Sequence, residues 1–155
     1  MRILANIEGE NINLLDDGSI TWTSKAAIDG DGSGTETPGD TFQADTSLHQ
    51  NGEPLNSQVD RYIVVPPVIV WAVEGVVMGC QAFVTNTKNG RSSEAVVGDI
   101  GPHRKLGEIS SALAVALGID PSPTTGGYED HVVHYSIIPG RYAVVEGKQY
   151  SLQAS

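Results

Sequence analysis

A mainly β fold, a barrel or sandwich carrying one or two helices, is what this sequence predicts. Three observations point there. The 155 residues include 18 glycines and 8 prolines, so turns are frequent and long helices few. Short runs rich in valine and isoleucine recur between turn signals. Only residues 109–117 show helical spacing, with Leu113 and Leu117 four apart and Ile109 and Ala116 near the same face. The length suits one domain around one core, spanning 1–155 with an N-terminal β-hairpin extension over residues 1–25.

The elements follow in order. Residues 12–15 and 19–22 flank Asp16-Asp17-Gly18, and Asp-Gly between apolar runs marks a hairpin. Residues 29–58 are polar and glycine-rich without a sustained period. An irregular stretch of that length is typically functional or disordered; Phe42, Leu48 and Leu55 favour a functional loop anchored to the body. Residues 62–65 form a strand stopped by Pro66-Pro67, and residues 68–73 read as another; both are apolar enough to be buried on two faces. Residues 76–85 form the next strand, turning at Asn89-Gly90, and residues 94–98 lead into a loop of charged residues. After the helix, closed by Gly118 with Pro121 beyond it, residues 131–138 form a strand. A last hairpin turns at Glu146-Gly147.

Nineteen acids against nine Lys and Arg give a formal net charge of −10. Nucleic acid is excluded as a partner because it needs a basic face; a polycation, such as a glucosamine polymer, would be attracted instead. The single Cys80 lies in a strand-like run, so no intrachain disulfide forms and the thiol reads as a buried one. The N-terminus lacks the apolar stretch of a signal peptide, and no run is long enough to cross a membrane. A substrate outside the cell then implies secretion or release by a non-classical route.

The candidate chemistry lies in the charged loop. Val96-Val97-Gly98-Asp99-Ile100-Gly101-Pro102 carries a strand into an acid and a turn. His103-Arg104-Lys105-Leu106-Gly107-Glu108-Ile109-Ser110 then leads to a second acid and the expected helix start, capped by Ser110 or Glu108. The spacing places Asp99 and Glu108 on two lips of one loop. One carboxyl that stays protonated and one that ionises is the pair that glycosidic bond cleavage requires. A turn acid followed by a helix cap fits the same spacing. The dipole of a helix starting at Glu108 would favour its ionised form, whereas a cleft wall or neighbouring acids would raise its pKa.

The segment 98–119 resembles the double-psi β-barrel signature of rare-lipoprotein-A-like lytic transglycosylases. Glu108-Ile109-Ser110 stands where they carry Asp-Leu-Ser, and Ala116-Leu117-Gly118 closes the helix. Residues 26–140 more closely resemble glycoside hydrolase family 75, the fungal-type chitosanases. The matching stretches are Ala27-Ile28-Asp29-Gly30-Asp31-Gly32, Phe42-Gln43, Thr46-Ser47-Leu48, Tyr62 to Pro66, Gly98-Asp99 with Gly101-Pro102, Gly107-Glu108, Leu117-Gly118-Ile119, Gly126-Gly127 and Pro139-Gly140. The resemblance implies a six-stranded double-psi-like barrel with one short helix after the loop, and inverting endo-hydrolysis of chitosan without a cofactor. It carries the catalytic pair onto Asp99 and Glu108; the barrel relatives' acid makes Glu108 the general acid and Asp99 the general base. Gly30 stands where the family often has cysteine, and the family's disulfides have no counterpart here.

Asp29, Asp31, Gln43, Thr46, His103, Tyr128 and Tyr135 complete the expected substrate cleft. Acids there would pair with glucosamine ammonium groups. Residues 29–40 also fit a calcium-loop template in part, but Asp40 replaces its terminal Glu and helical flanks are lacking, so the cleft reading is preferred. His131 and His134, three apart in a strand, face opposite sides, and no metal is expected. Tyr128 and Tyr135 are preferred as sugar platforms over Trp22, Trp71, Tyr62 and Tyr142. No nucleophile elbow or phosphate-binding loop is present. The competing readings are a lytic transglycosylase acting on peptidoglycan, which needs one acid only, and a non-catalytic glycan-binding or structural module.

Overall fold

The computed structural model describes residues 1–29 and 46–153. It is 51% strand and 9% helix, in agreement with the mainly β expectation. Strands β1 (Arg2–Ile7) and β2 (Glu10–Leu14) form an antiparallel hairpin turning at Glu8-Gly9. β2 turns through Asp17-Gly18 into β3 (Ile20–Asp29), where Leu14 pairs with Ile20 as the sequence signal requires. β3 buries Ile20, Trp22, Ser24 and Ala26 alternately, the period of a half-buried strand. It then runs on into the barrel, where it pairs with two later strands, at residues 128–137 and 108–110.

The ribbon of β4 (His49–Gln50) and β5 (Glu53–Pro54) precedes β6 (Tyr62–Val65), whose four residues are all buried. Next comes α1 (Pro67–Ala72), where a strand was expected over 68–73. A short apolar run does not distinguish strand from helix by period, and Pro66-Pro67 presets the first helical turn. β7 (Cys80–Asn86) and β8 (Arg91–Ile100) pair antiparallel around Asn89-Gly90. Cys80 is fully buried.

β9 (Glu108–Ser110) leads into α2 (Ser111–Ala116), capped by the Ser110 side chain accepting from the Leu113 N–H. The helix thus starts later than the spacing predicts. Ile109 is taken by the sheet instead, paired with Ile63 on one side and Ile28 on the other. β10 (Tyr128–Tyr142), β11 (Val144–Val145) and β12 (Lys148–Gln149) complete the chain.

Six strands close a mixed barrel in the order β3-β10-β7-β8-β6-β9, with β9 returning to β3. The β3–β9 and β6–β8 pairings are parallel and the other barrel pairings antiparallel. This closed arrangement is compatible with a double-psi barrel. Among the described residues two short helices accompany it, where the resemblance implied one. No helix among the described residues is long and apolar enough to cross a membrane.

Candidate active site

β6 forms the midline of the site. Its Val64 pairs with Asp99 of β8 on one side and with Glu108 of β9 on the other. Register partners on adjacent strands present their side chains to the same face, so the two acids straddle Val64, while Ile63 and Ile109 face the other way. Strands spaced ~4.8 Å apart set the two acid backbones roughly 9–10 Å from each other. The register of β6 and β8 skips Gly98 between the Val97 and Asp99 pairings, and this irregularity brings Asp99 level with Glu108.

Asp99 is only 6% exposed. Its Oδ1 accepts from the Ser47 N–H at 3.0 Å, the Ser47 hydroxyl at 2.7 Å and the Ile100 N–H at 2.9 Å. Hydrogen bonds of this kind favour the charged carboxylate. Glu108 is partly exposed. Burial holds its carboxyl above the ordinary value of 4.5; Lys105 and Lys25 pull it down without cancelling the rise, and Asp99 and Glu8 push it further up. The two candidate acids are therefore close enough to couple, and their surroundings differ in kind.

Glycines shape the space between them. A Cβ on Gly101 would lie 2.9 Å from Val64 Cγ1 and 3.5 Å from Glu108 Oε2, so a side chain there would crowd the acid. Gly107 sits at φ +89, and a Cβ on it would run into the Lys25 carbonyl. This close approach lets the Gly107 carbonyl accept from the Ala27 N–H at 2.8 Å, fixing Glu108 against β3.

No family model matches this sequence, and no curated protein does either. The likeness to chitosanases accordingly rests on the motif residues themselves.

The other expected cleft residues divide. Asp29, at the end of β3, is buried, pairs with Ser110, and accepts from the Tyr62 hydroxyl at 3.1 Å. Asp31 and the rest of the calcium-like segment after Asp29 lie outside the described residues, and so does Gln43. Thr46 corrects the expectation: it is buried, and its hydroxyl donates to the Leu48 carbonyl and accepts from the Leu55 N–H, both at 2.8 Å, clasping its own loop. Tyr135 is a second correction. It is fully buried, stacked on Trp22 with ring centroids 5.0 Å apart, and its hydroxyl donates to the Lys25 carbonyl, so no glycan reaches it. Tyr128 is half-buried, with Lys88 Nζ 4.9 Å from its ring centre.

His103 is exposed, and its ring lies 5.4 Å from that of Trp71. Trp71, expected in the core, is 73% exposed. It stands on α1, which leaves the end of β6 where Val65 meets Ile100; the loop carrying His103 leaves β8 at the same end. The Trp71–His103 pair therefore stands at the rim bearing the two acids. His131 contacts Glu10, whereas His134 contacts Thr23, and no metal-holding cluster occurs among the described residues. A hollow of about 550 Å³ lies between the β2–β3 turn and Pro139 and contains none of the candidate residues.

Ser47, Lys25, Lys105 and Glu8 surround the pair without having been singled out. Ser47 and Lys105 lie within motifs already quoted. Lys25 and Glu8 are far away in sequence and carry no local signal.

Proposed function

We propose that this chain is a glycoside hydrolase that cuts β-1,4-linked glucosamine chains using Glu108 and Asp99. The observation that carries the proposal is the shared partner: Val64 pairs with both acids, so the two carboxyls share one face, and burial raises the proton affinity of Glu108. Glu108, with its raised affinity for a proton, is the general acid. It protonates the glycosidic oxygen as the bond from that oxygen to the anomeric carbon breaks. Asp99 accepts a proton from a water whose oxygen bonds to the anomeric carbon from the opposite face, inverting its configuration. Asp99 then releases its proton to solvent and Glu108 regains one, which restores both groups. Inversion requires the two carboxyl groups to stand about 6.5–9.5 Å apart, with that water between them.

The polymer is chosen by charge and motif. A formal charge of −10 favours a polycation, and the resemblance to family 75 points to chitosan. Trp71 and His103 supply an exposed aromatic surface at the rim on which the apolar face of a sugar ring can stack.

Purified protein is incubated with chitosan, chitin and peptidoglycan separately, and soluble sugars are read by mass spectrometry. The proposal expects oligosaccharides from chitosan with new reducing ends. It also expects Asp99→Asn and Glu108→Gln to lower turnover by about 10²–10⁴-fold each while keeping the fold. Unchanged turnover in both variants overturns it.

One observation favours a second reading. Asp99 is nearly sealed from solvent, as an acid with a purely structural role would be. A transglycosylase-like reaction needs only the proton donor, the attacking oxygen coming from the sugar itself. In that case peptidoglycan yields products lighter by one water, and only the Glu108 variant is inactive.

A further inference from the structure

The tip of the N-terminal hairpin reaches the candidate site. Glu8, in the turn between β1 and β2 at φ 54, sends its carboxylate in two directions. Oε1 accepts from the Leu106 N–H at 2.8 Å, and Oε2 meets Lys25 Nζ at 2.8 Å. Leu106 is buried and lies two residues before Glu108. The Lys25 and Glu8 side chains are 19% and 30% exposed, so this is a largely covered contact. Two residues on, Glu10 meets His131 Nδ1 of β10 at 2.6 Å. The turn is thus fastened to the acid-bearing loop, to β3 and to β10 by two carboxylates.

We infer that Glu8 is a positioning residue, which holds the segment 106–108 against β3 and, through its partner Lys25, sets the charge felt by Glu108. This rests on the reading of Glu108 as proton donor. The geometry has a direct electrical consequence. The groups that face Glu108 are Lys105 from its own loop, Lys25 from β3, Asp99 from β8, Glu8 from the hairpin turn and the Tyr135 hydroxyl from β10. The group facing Glu8 besides Lys25 is His131. Removing the Glu8 charge removes one source that raises Glu108 and leaves Lys25 unpaired, free to favour the Glu108 carboxylate. Both changes act in the same direction, toward easier ionisation.

The test is a ¹³C NMR titration of the Glu108 carboxyl in the full chain, which needs no substrate. In Glu8→Gln the amide oxygen still accepts from Leu106, and the expected result is that Glu108 titrates at lower pH than in the parent. In Glu8→Ala, which loses the Leu106 contact too, the shift persists. The basic limb of the pH–rate profile moves the same way, with kcat reduced several-fold and KM little changed. Glu10→Gln, which alters only the His131 contact, leaves Glu108 titrating as before. A folded Glu8→Gln protein whose Glu108 titrates at the parental pH overturns the inference. If the shift occurs but no glycan is cleaved, the proposed function fails and the positioning role stands.

Discussion

Glu108 and Asp99 are both largely buried carboxyls, and the burial of Glu108 has consequences at the level of single residues. For Glu108, burial raises the folded-state pKa above 4.5, so the folded chain binds this proton more tightly than the unfolded chain. Stability contributed by the residue is therefore present at pH below about 4.5 and declines as pH rises through the raised value. Glu108→Gln removes that penalty. Its melting temperature should exceed the parent's at neutral pH, with each kcal/mol giving roughly 2–4 °C in a domain of this size, and the gain should vanish toward pH 4. Calorimetry across that range checks it; a lower melting temperature at neutral pH contradicts it. Under the proposed function, turnover should fall as pH rises through the Glu108 value. Both acids were picked out from the loop motif, and the family resemblance made Glu108 the proton donor; the spacing alone left its state open between a helix dipole and a cleft wall. The structure places it on β9, ahead of a six-residue helix capped by Ser110, so burial, and not a helix dipole, decides its state.

At the scale of elements, loops held by distant partners position the pair. Ser47 donates twice to Asp99, and its own carbonyl accepts from Gln153 Nε2 at 2.8 Å, so the C-terminal segment supports the loop that holds an acid of β8. Ser47→Ala loses the hydroxyl donor to a charged group. Urea denaturation should show about 1.5–3 kcal/mol of destabilisation, with turnover reduced; unchanged stability would show that this contact holds nothing. The last hairpin is fastened similarly. Asp60 is buried, which raises its pKa, but Lys148, the Tyr150 hydroxyl and the Asn56 N–H outweigh burial and hold it below 3.8. Its stabilisation is present above that value and lost as pH falls through the folded pKa. Asp60→Asn should lower the melting temperature at pH 7 and lessen its fall in acid. Hairpins at Asp17-Gly18, Asn89-Gly90 and Glu146-Gly147 were legible because their turn chemistry is local. Helix α1 was not, since Val68 to Val73 carries no period that separates it from a buried strand. Neither was the skipped Gly98, because register is set by packing between strands distant in sequence.

For the whole molecule, the barrel turns local segments into one site. Residues 62–65, 91–100 and 108–110 become neighbours only when β6 lies between β8 and β9. Short valine- and isoleucine-rich runs between turn signals made the strands readable, and the motif resemblance made a six-stranded barrel the expectation. Pairing across the barrel placed Glu8 and Lys25 beside Glu108, which no spacing in the chain foretells. Net charge acts at this scale too. With a formal charge of −10, affinity for a protonated glucosamine polymer should weaken as salt is added, the Debye length shrinking from about 10 Å at 0.1 M to about 3 Å at 1 M. Salt-independent binding measured by calorimetry would remove charge from the account of substrate choice. The central claim, that two acids flanking Val64 cut a sugar chain from opposite faces, is tested most directly by proton NMR of freshly cleaved glucosamine hexamer. The account predicts that the α-anomer is the first product, lost in both amide variants. A β-anomer appearing first, or release undiminished in Asp99→Asn, would contradict it.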